Sequence, residues 1–310
     1  ISTSSPGQNA QLTFDGTVNQ RVFLRVTNVV LTGGTSNRAN VLIKKPDGTN
    51  LGSTTVDSTG GIIDTKVLPV TGTYTLLVDP HDTATGTLTL TLVDVPPDVS
   101  GPIVPGGDAV TVATTTAGQN VQLTFDGVIN QRVSLDITGL SVTTGGIVTV
   151  AIRKPDGTNL SSTILSSGTG FIDVKSLTVT GTHTVLVDPN SFNTASATLR
   201  LYDVPADPAA STTINATAVN IATTVPGQNA KVTFNGTSGQ QVTVRITNNA
   251  IGLMTLRLLR PDGSQQTTST SSSLNFNMST QTLNATGEFT ISIDPNGNKK
   301  GAMDVRVTSP

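Results

Sequence analysis

Alternation of apolar and polar positions is the dominant signal along the chain. Val22, Leu24 and Val26 fall on one face of an extended segment, with Phe23 and Arg25 on the other. The same beat returns at Val133, Leu135 and Ile137 against Ser134 and Asp136, and at Val242, Val244 and Ile246 against Thr243 and Arg245. Tyr74, Leu76 and Val78, then Leu88, Leu90 and Leu92, repeat it. Period two with one apolar face predicts half-buried antiparallel strands. Turn signals such as Pro46-Asp47-Gly48 separate them, because Pro presets φ and Gly accepts positive φ. Seven or eight short strands follow one another at the spacing of a β-sandwich.

The pattern is carried by a repeat. GQNAQLTFDG at residues 7–16 returns as GQNVQLTFDG at 118–127 and GQNAKVTFNG at 227–236. KPDGTNL from Lys45 returns from Lys154, and as RPDGSQQ from Arg260. GTYTLLVDP from Gly72 returns as GTHTVLVDP from Gly181 and GEFTISIDP from Gly287. The period, about 109 residues from Lys45 to Lys154, is too long for a solenoid and large enough for each unit to own a core. The expected fold is therefore all-β, with three tandem antiparallel β-sandwich domains, jelly-roll or Ig-like, in an elongated array. The expected domains are residues 1–97, 110–206 and 218–310, with linkers at 98–109 and 207–217. These linkers differ in sequence yet have the same span, since Val95 to Gly118 equals Val204 to Gly227. Their Pro content predicts semi-rigid spacers.

Composition agrees with strands and narrows the function. Charged residues make up 12% of the chain and the net charge is −2, while mean hydropathy is +0.03 because Thr and small residues stand where charges usually do. That balance does not fit a disordered chain, which combines low hydrophobicity with high net charge. The lack of clustered Lys and Arg argues against nucleic acid as a partner. No apolar run is long enough to span a bilayer. The absence of Cys removes disulfides and thiolate metal sites from consideration.

Candidate chemistry is sparse. His81 reads as a loop residue, and His183 takes the inward aromatic slot that Tyr74 and Phe289 hold in the sibling repeats. No His pair has ligand spacing, and no GxSxG elbow supports a nucleophile. Three sets of acids recur: Asp79, Asp188 and Asp294 before Pro; Asp15 and Asp126 before Gly; and Asp64 with Asp173. Turn chemistry explains them most simply. The competing reading is calcium, for which Asp79, Asp188 and Asp294 are the candidate ligands. No catalytic residue and no cofactor is expected, because the best-kept positions recur in every unit whereas a catalytic site is normally carried once. The third copy departs from its siblings, with Gln241 in place of Arg21 and Arg132 and a Ser/Thr/Gln-rich stretch at residues 265–273 that reads as an exposed loop or a contact surface.

At GTYTLLVDP, with the PDGT turn and GQNAQLTFDG before it, each unit resembles the bacterial pre-peptidase C-terminal type of β-sandwich found in secreted and surface-anchored proteins. That resemblance implies accessory, non-catalytic modules, some of which bind calcium or carbohydrate. The absence of Trp weakens a carbohydrate platform here. The expected function is an extracellular or cell-surface structural protein, either a stalk or a head-to-tail filament or surface-layer subunit. It would associate with itself or with neighbouring domains. The alternative is an accessory binding module for carbohydrate, calcium or protein.

Overall fold

The structure is a computed structural model that describes residues 1–309, apart from the side chain of Thr144. Pro310, expected to close the last unit, lies outside the described residues. Those residues contain no α-helix, only a single 3-10 turn at Thr143–Gly145.

The first repeat runs through β1 (Ser2–Thr3), β2 (Ala10–Gly16), β3 (Arg21–Thr32), β4 (Ala39–Lys44), β5 (Asn50–Val56), β6 (Gly61–Val67), β7 (Gly72–Pro80) and β8 (Thr85–Asp94). These pair into two antiparallel sheets of order β1-β8-β3-β6 and β2-β7-β4-β5. Every hairpin-adjacent strand except β4–β5 crosses to the other sheet. This is the jelly-roll order, so the choice left open with an Ig-like arrangement falls to the jelly roll. The other two repeats build the same pair of sheets, giving six in all.

Alternation puts the expected residues inside. Val22, Leu24, Val26, Ile43 and Tyr74 form one buried cluster; Phe125, Leu135, Ile137 and Ile152 belong to a second; Phe234, Val244, Ile246 and Leu256 belong to a third. Each cluster holds one cross-strand ring pair: Phe14 with Tyr74, Phe125 with His183, and Phe234 with Phe289, stacked at 5.3–5.6 Å between centroids. The PDG turn is tied to the GTYT strand by shape. A Cβ on Gly72 would stand 2.8 Å from Pro46 Cγ, so the turn proline packs where only a glycine leaves room.

Two expectations about local structure change. Residues 265–273, read as an exposed loop or contact surface, supply the edge strand Gln265–Ser271, paired with Met254–Leu259. An edge strand is solvated along one side, so Thr keeps its β preference while its hydroxyl stays wet. The segments read as spacers are also partly strand. β9 (Val99–Pro102) runs parallel to Val121–Gly127, and Ala209–Ser211 runs parallel to Ala230–Gly236. Both join the sheet of the repeat that follows, and Ile103, just past β9, is buried in that repeat's core.

Candidate functional site

The most highly built polar features of the chain lie where one repeat meets the next. Arg21 opens β3, and its guanidinium donates to the Pro96 carbonyl at 3.2 Å and to Asp98 at 2.6 Å. Asp98 also accepts the Asn120 N–H at 3.1 Å and the Gln122 side-chain amide at 2.7 Å. Gln119 donates to the Pro97 carbonyl at 2.7 Å. One carboxylate therefore ties a cation of the first repeat to a strand of the second. The second junction reproduces this clamp. Arg132 donates to the Pro205 carbonyl at 2.8 Å and to Asp207 at 2.7 Å, while Asp207 accepts the Asn229 N–H at 3.1 Å. Gln228 donates to the Ala206 carbonyl at 2.7 Å. Both arginines are largely screened from water, which strengthens a charge-assisted bond relative to an exposed pair.

Apolar contact reinforces the first junction. Phe23 projects from the outer face of β3, where alternation alone predicts exposure, yet it is completely buried. Gly118 lies against it with φ +79°, and a Cβ there would stand 2.9 Å from Phe23 Cδ2 and nearer still to Thr65 Oγ1. Thr65 donates its hydroxyl to the Gly118 carbonyl at 2.8 Å. Arg25 lays its guanidinium 3.8 Å from the centroid of Phe192. At the second junction Ser134 takes the place of Phe23. It too is fully buried and donates to the Pro226 carbonyl at 2.7 Å, beside Gly227. There Asn298 donates to Asp136, which stands where the first repeat has Arg25, at 3.2 Å.

The recurring acids separate by role. Asp15 and Asp126, read from sequence as turn residues, lie within strands and accept cross-strand hydroxyls from Thr73 and Thr182 at 2.8 and 2.7 Å. Turn chemistry belongs instead to Asp47, Asp156 and Asp262. Each accepts the side chain and backbone N–H of the residue two places on, and these bonds hold the carboxyls below their ordinary value. The calcium candidates Asp79, Asp188 and Asp294 sit in three separate sheets and are not brought together. Topology does bring Asp188 near Asp64, and Asp294 near Asp173, across the two junctions. Asp173 and Asp294 line one cleft of about 430 Å³, where Asp294 accepts from Arg257 at 2.9 Å. Burial, with the facing carboxylate second, raises Asp188; burial raises Asp173 likewise, with Asp294 adding to it. Each junction thus brings one pair of carboxylates together, whereas calcium takes six to eight oxygens from carboxylates, carbonyls and water combined. Among the described residues no group of three or more His, Cys, Asp or Glu side chains could hold a metal ion.

His183 is fully buried, stacked on Phe125, with Nδ1 2.9 Å from the Gly181 carbonyl and Nε2 without a partner. No described helix is long and apolar enough to cross a membrane.

Sequence reasoning missed the junction residues because nothing in the motif spacing marks Arg21, Phe23 or Asp98. The available signal was the Pro-x-Asp shared by the starts of both outgoing segments, together with the Arg kept at positions 21 and 132.

No family model and no curated protein matches the chain. Among solved structures, it is similar to the pre-peptidase C-terminal domain of collagenase from Bacillus anthracis, at 18% identity over 34% of this chain and 98% of that one, with a TM-score of 0.26. It is also similar to the PBSX exported protein XepA, at 12% identity over 64% and 86% of the two chains, with a TM-score of 0.25. A third likeness is to an archaeal virus protein with a triple jelly roll fold, at 12% identity over 97% and 83%, with a TM-score of 0.19. At such scores these likenesses carry no argument about function.

Proposed function

We propose that this chain is a non-catalytic structural array, a stalk or spacer on a cell surface, whose repeats are held in fixed relation rather than strung on free linkers. One observation carries the reading: the segment leaving the first repeat and that leaving the second each become an edge strand of the repeat that follows, and an Arg–Asp clamp ties each back to the repeat it left. A tether that merely joined two modules would need neither the strand nor the clamp. The three domains span residues 1–97, 110–206 and 218–310 in this reading, with the outgoing segments serving as joints. Single-molecule energy transfer between dyes on Thr54 and Thr268, each changed to Cys in this Cys-free chain, tests it. The expected result is one narrow distance distribution that survives in 1 M salt. A broad distribution, as from a flexible linker, would overturn the reading.

A further inference from the structure

The edge of β2 differs from its two counterparts in having no strand beside it. In the second repeat Val121–Gly127 is flanked by β9, and in the third Ala230–Gly236 is flanked by Ala209–Ser211; β2 ends its sheet uncovered. The difference registers in burial. Leu12 is 48% exposed, whereas its counterparts Leu123 and Val232 are 2% and 0% exposed. Phe14 is only half-buried, against the buried Phe125 and Phe234.

The receptor groups of β2 are those that hold the added strand elsewhere. The carbonyls of Asn120 and Thr124 accept from Val99 and Ile103 at 2.9 Å, and their counterparts on the first repeat are Asn9 and Thr13. Asn120 and Asn229 give their N–H to an aspartate, while that of Asn9 has no partner. Gln119 and Gln228 are buried and donate to a carbonyl of the added segment; Gln8 makes the same local acceptor bonds as they do, but is exposed with its amide donor free. Gly7 matches Gly118 and Gly227 with φ +75°, but has open space over it. Protection of this edge is slight, since Asp15 is the one charge among residues 10–16, which contain no Lys or Pro and pair with β7 without a bulge.

We infer that the edge of β2 is an acceptor for the outgoing segment of another repeat of this kind. The occupant is an extended peptide beginning Pro-x-Asp and continuing in small residues, as in residues 96–103 and 205–212. It adds parallel to β2, its Asp on the Asn9 N–H, its second-position carbonyl on Gln8, and its chain over Leu12 and Phe14. Main-chain bonds supply affinity and the Asp fixes register, the logic of strand addition at an open edge. The inference rests on the array reading, since it gives the open edge of the first repeat the same kind of occupant that the second and third repeats have.

The test is fluorescence anisotropy of the full chain with a labelled, end-capped peptide of residues 205–214. Saturable one-to-one binding is expected, with slowed hydrogen exchange at Gln11 and Thr13. Thr13→Pro removes an N–H on the outward side of an edge strand, where proline is tolerated; its binding should fall at least 10-fold with an unchanged unfolding midpoint. Gln8→Ala, at an exposed position that leaves the strand intact, should weaken binding about 3- to 10-fold. No saturable binding up to millimolar peptide, or equal binding by Gln8→Ala, overturns the acceptor. Failure of the peptide alongside a narrow distance distribution refutes the acceptor and leaves the array standing. Binding alongside a broad distribution supports the acceptor and refutes the fixed array.

Discussion

The equivalent glycines Gly7 and Gly118 offer a controlled test of the joint. Both are left-handed, at φ +75° and +79°, so alanine at either carries the same backbone penalty of about 1–2 kcal/mol. Only at Gly118 does the new methyl meet another repeat, 2.9 Å from the ring of Phe23 and nearer still to Thr65 Oγ1. Thr65 must turn away and lose its bond to the Gly118 carbonyl, about 0.5–1.5 kcal/mol. Relieving the overlap with Phe23 adds about 1–3 kcal/mol of overpacking. Gly118→Ala should therefore disfavour the docked joint by roughly 1.5–4.5 kcal/mol beyond the backbone penalty. That shifts the docked-to-undocked ratio by roughly 10- to 1,600-fold. Energy transfer across the first joint should show a new, broad population in Gly118→Ala and none in Gly7→Ala. Thermal unfolding of Gly7→Ala supplies the backbone penalty alone. If the two variants gave the same distance distribution, the packing of Gly118 on Phe23 would not be what holds the joint.

Other outcomes follow from the same geometry. Asp98→Ala removes three hydrogen bonds to one carboxylate; counting the loss of one of them alone, about 1.5–3 kcal/mol for a charged partner, exchange of the Val99 and Ile103 amides should quicken at least roughly 10- to 150-fold, and unchanged exchange would dismiss the clamp. His183→Phe should raise stability by up to about 1 kcal/mol, because removing a buried nitrogen with no partner outweighs losing the Nδ1 contact to the Gly181 carbonyl, which stays within reach of water; a lower urea midpoint would count against that. Asp188 and Asp173 have raised values, so the folded chain takes up their protons more readily than the unfolded chain does. Their ionisation weakens the fold above those values, and the loss is relieved as pH falls through them toward the ordinary 3.8. Asp64, Asp98 and Arg153 face Asp188; Asp294, Lys175 and Arg132 face Asp173. Thermal stability should therefore rise as pH falls through these raised values toward 3.8, and Asp188→Asn should flatten that rise. The lowered turn acids Asp47 and Asp156 work oppositely, keeping their contribution until pH drops below 3.8. A wild-type slope retained in Asp188→Asn would assign the effect elsewhere.

The strands were legible because their cause is local. Alternation at Val22–Val26 or Tyr74–Val78 needs only the pleat and one buried face, and the turn at Pro46-Asp47-Gly48 needs only its own φ preferences. What stayed hidden depends on contacts between repeats. Phe23 looks like a surface residue until Gly118 is laid on it, and Ser134 at the matching place does the same work with a hydroxyl. Asp64 and Asp188 belong to different motifs in different repeats, and only the docking of one sheet against the next pairs them. The outgoing segments have too many Pro and Gly residues to read as strands, and it is the neighbouring edge that makes them so.

The parallel edge strands also bear on how such an array can lengthen or shorten in inheritance. A cut at residue 110 would leave the following core without Ile103 and with its edge bare, whereas a cut at residue 98 keeps the covering strand and its Asp with the core they serve. From 98 through 206 is one full period, since Val95 and Val204 hold the same place. A duplication or deletion with that frame closes on itself, because the Arg that grips the incoming Asp is always supplied by the repeat before. The unit that recombination can copy without damage is thus offset from the unit that the eye picks out as a domain.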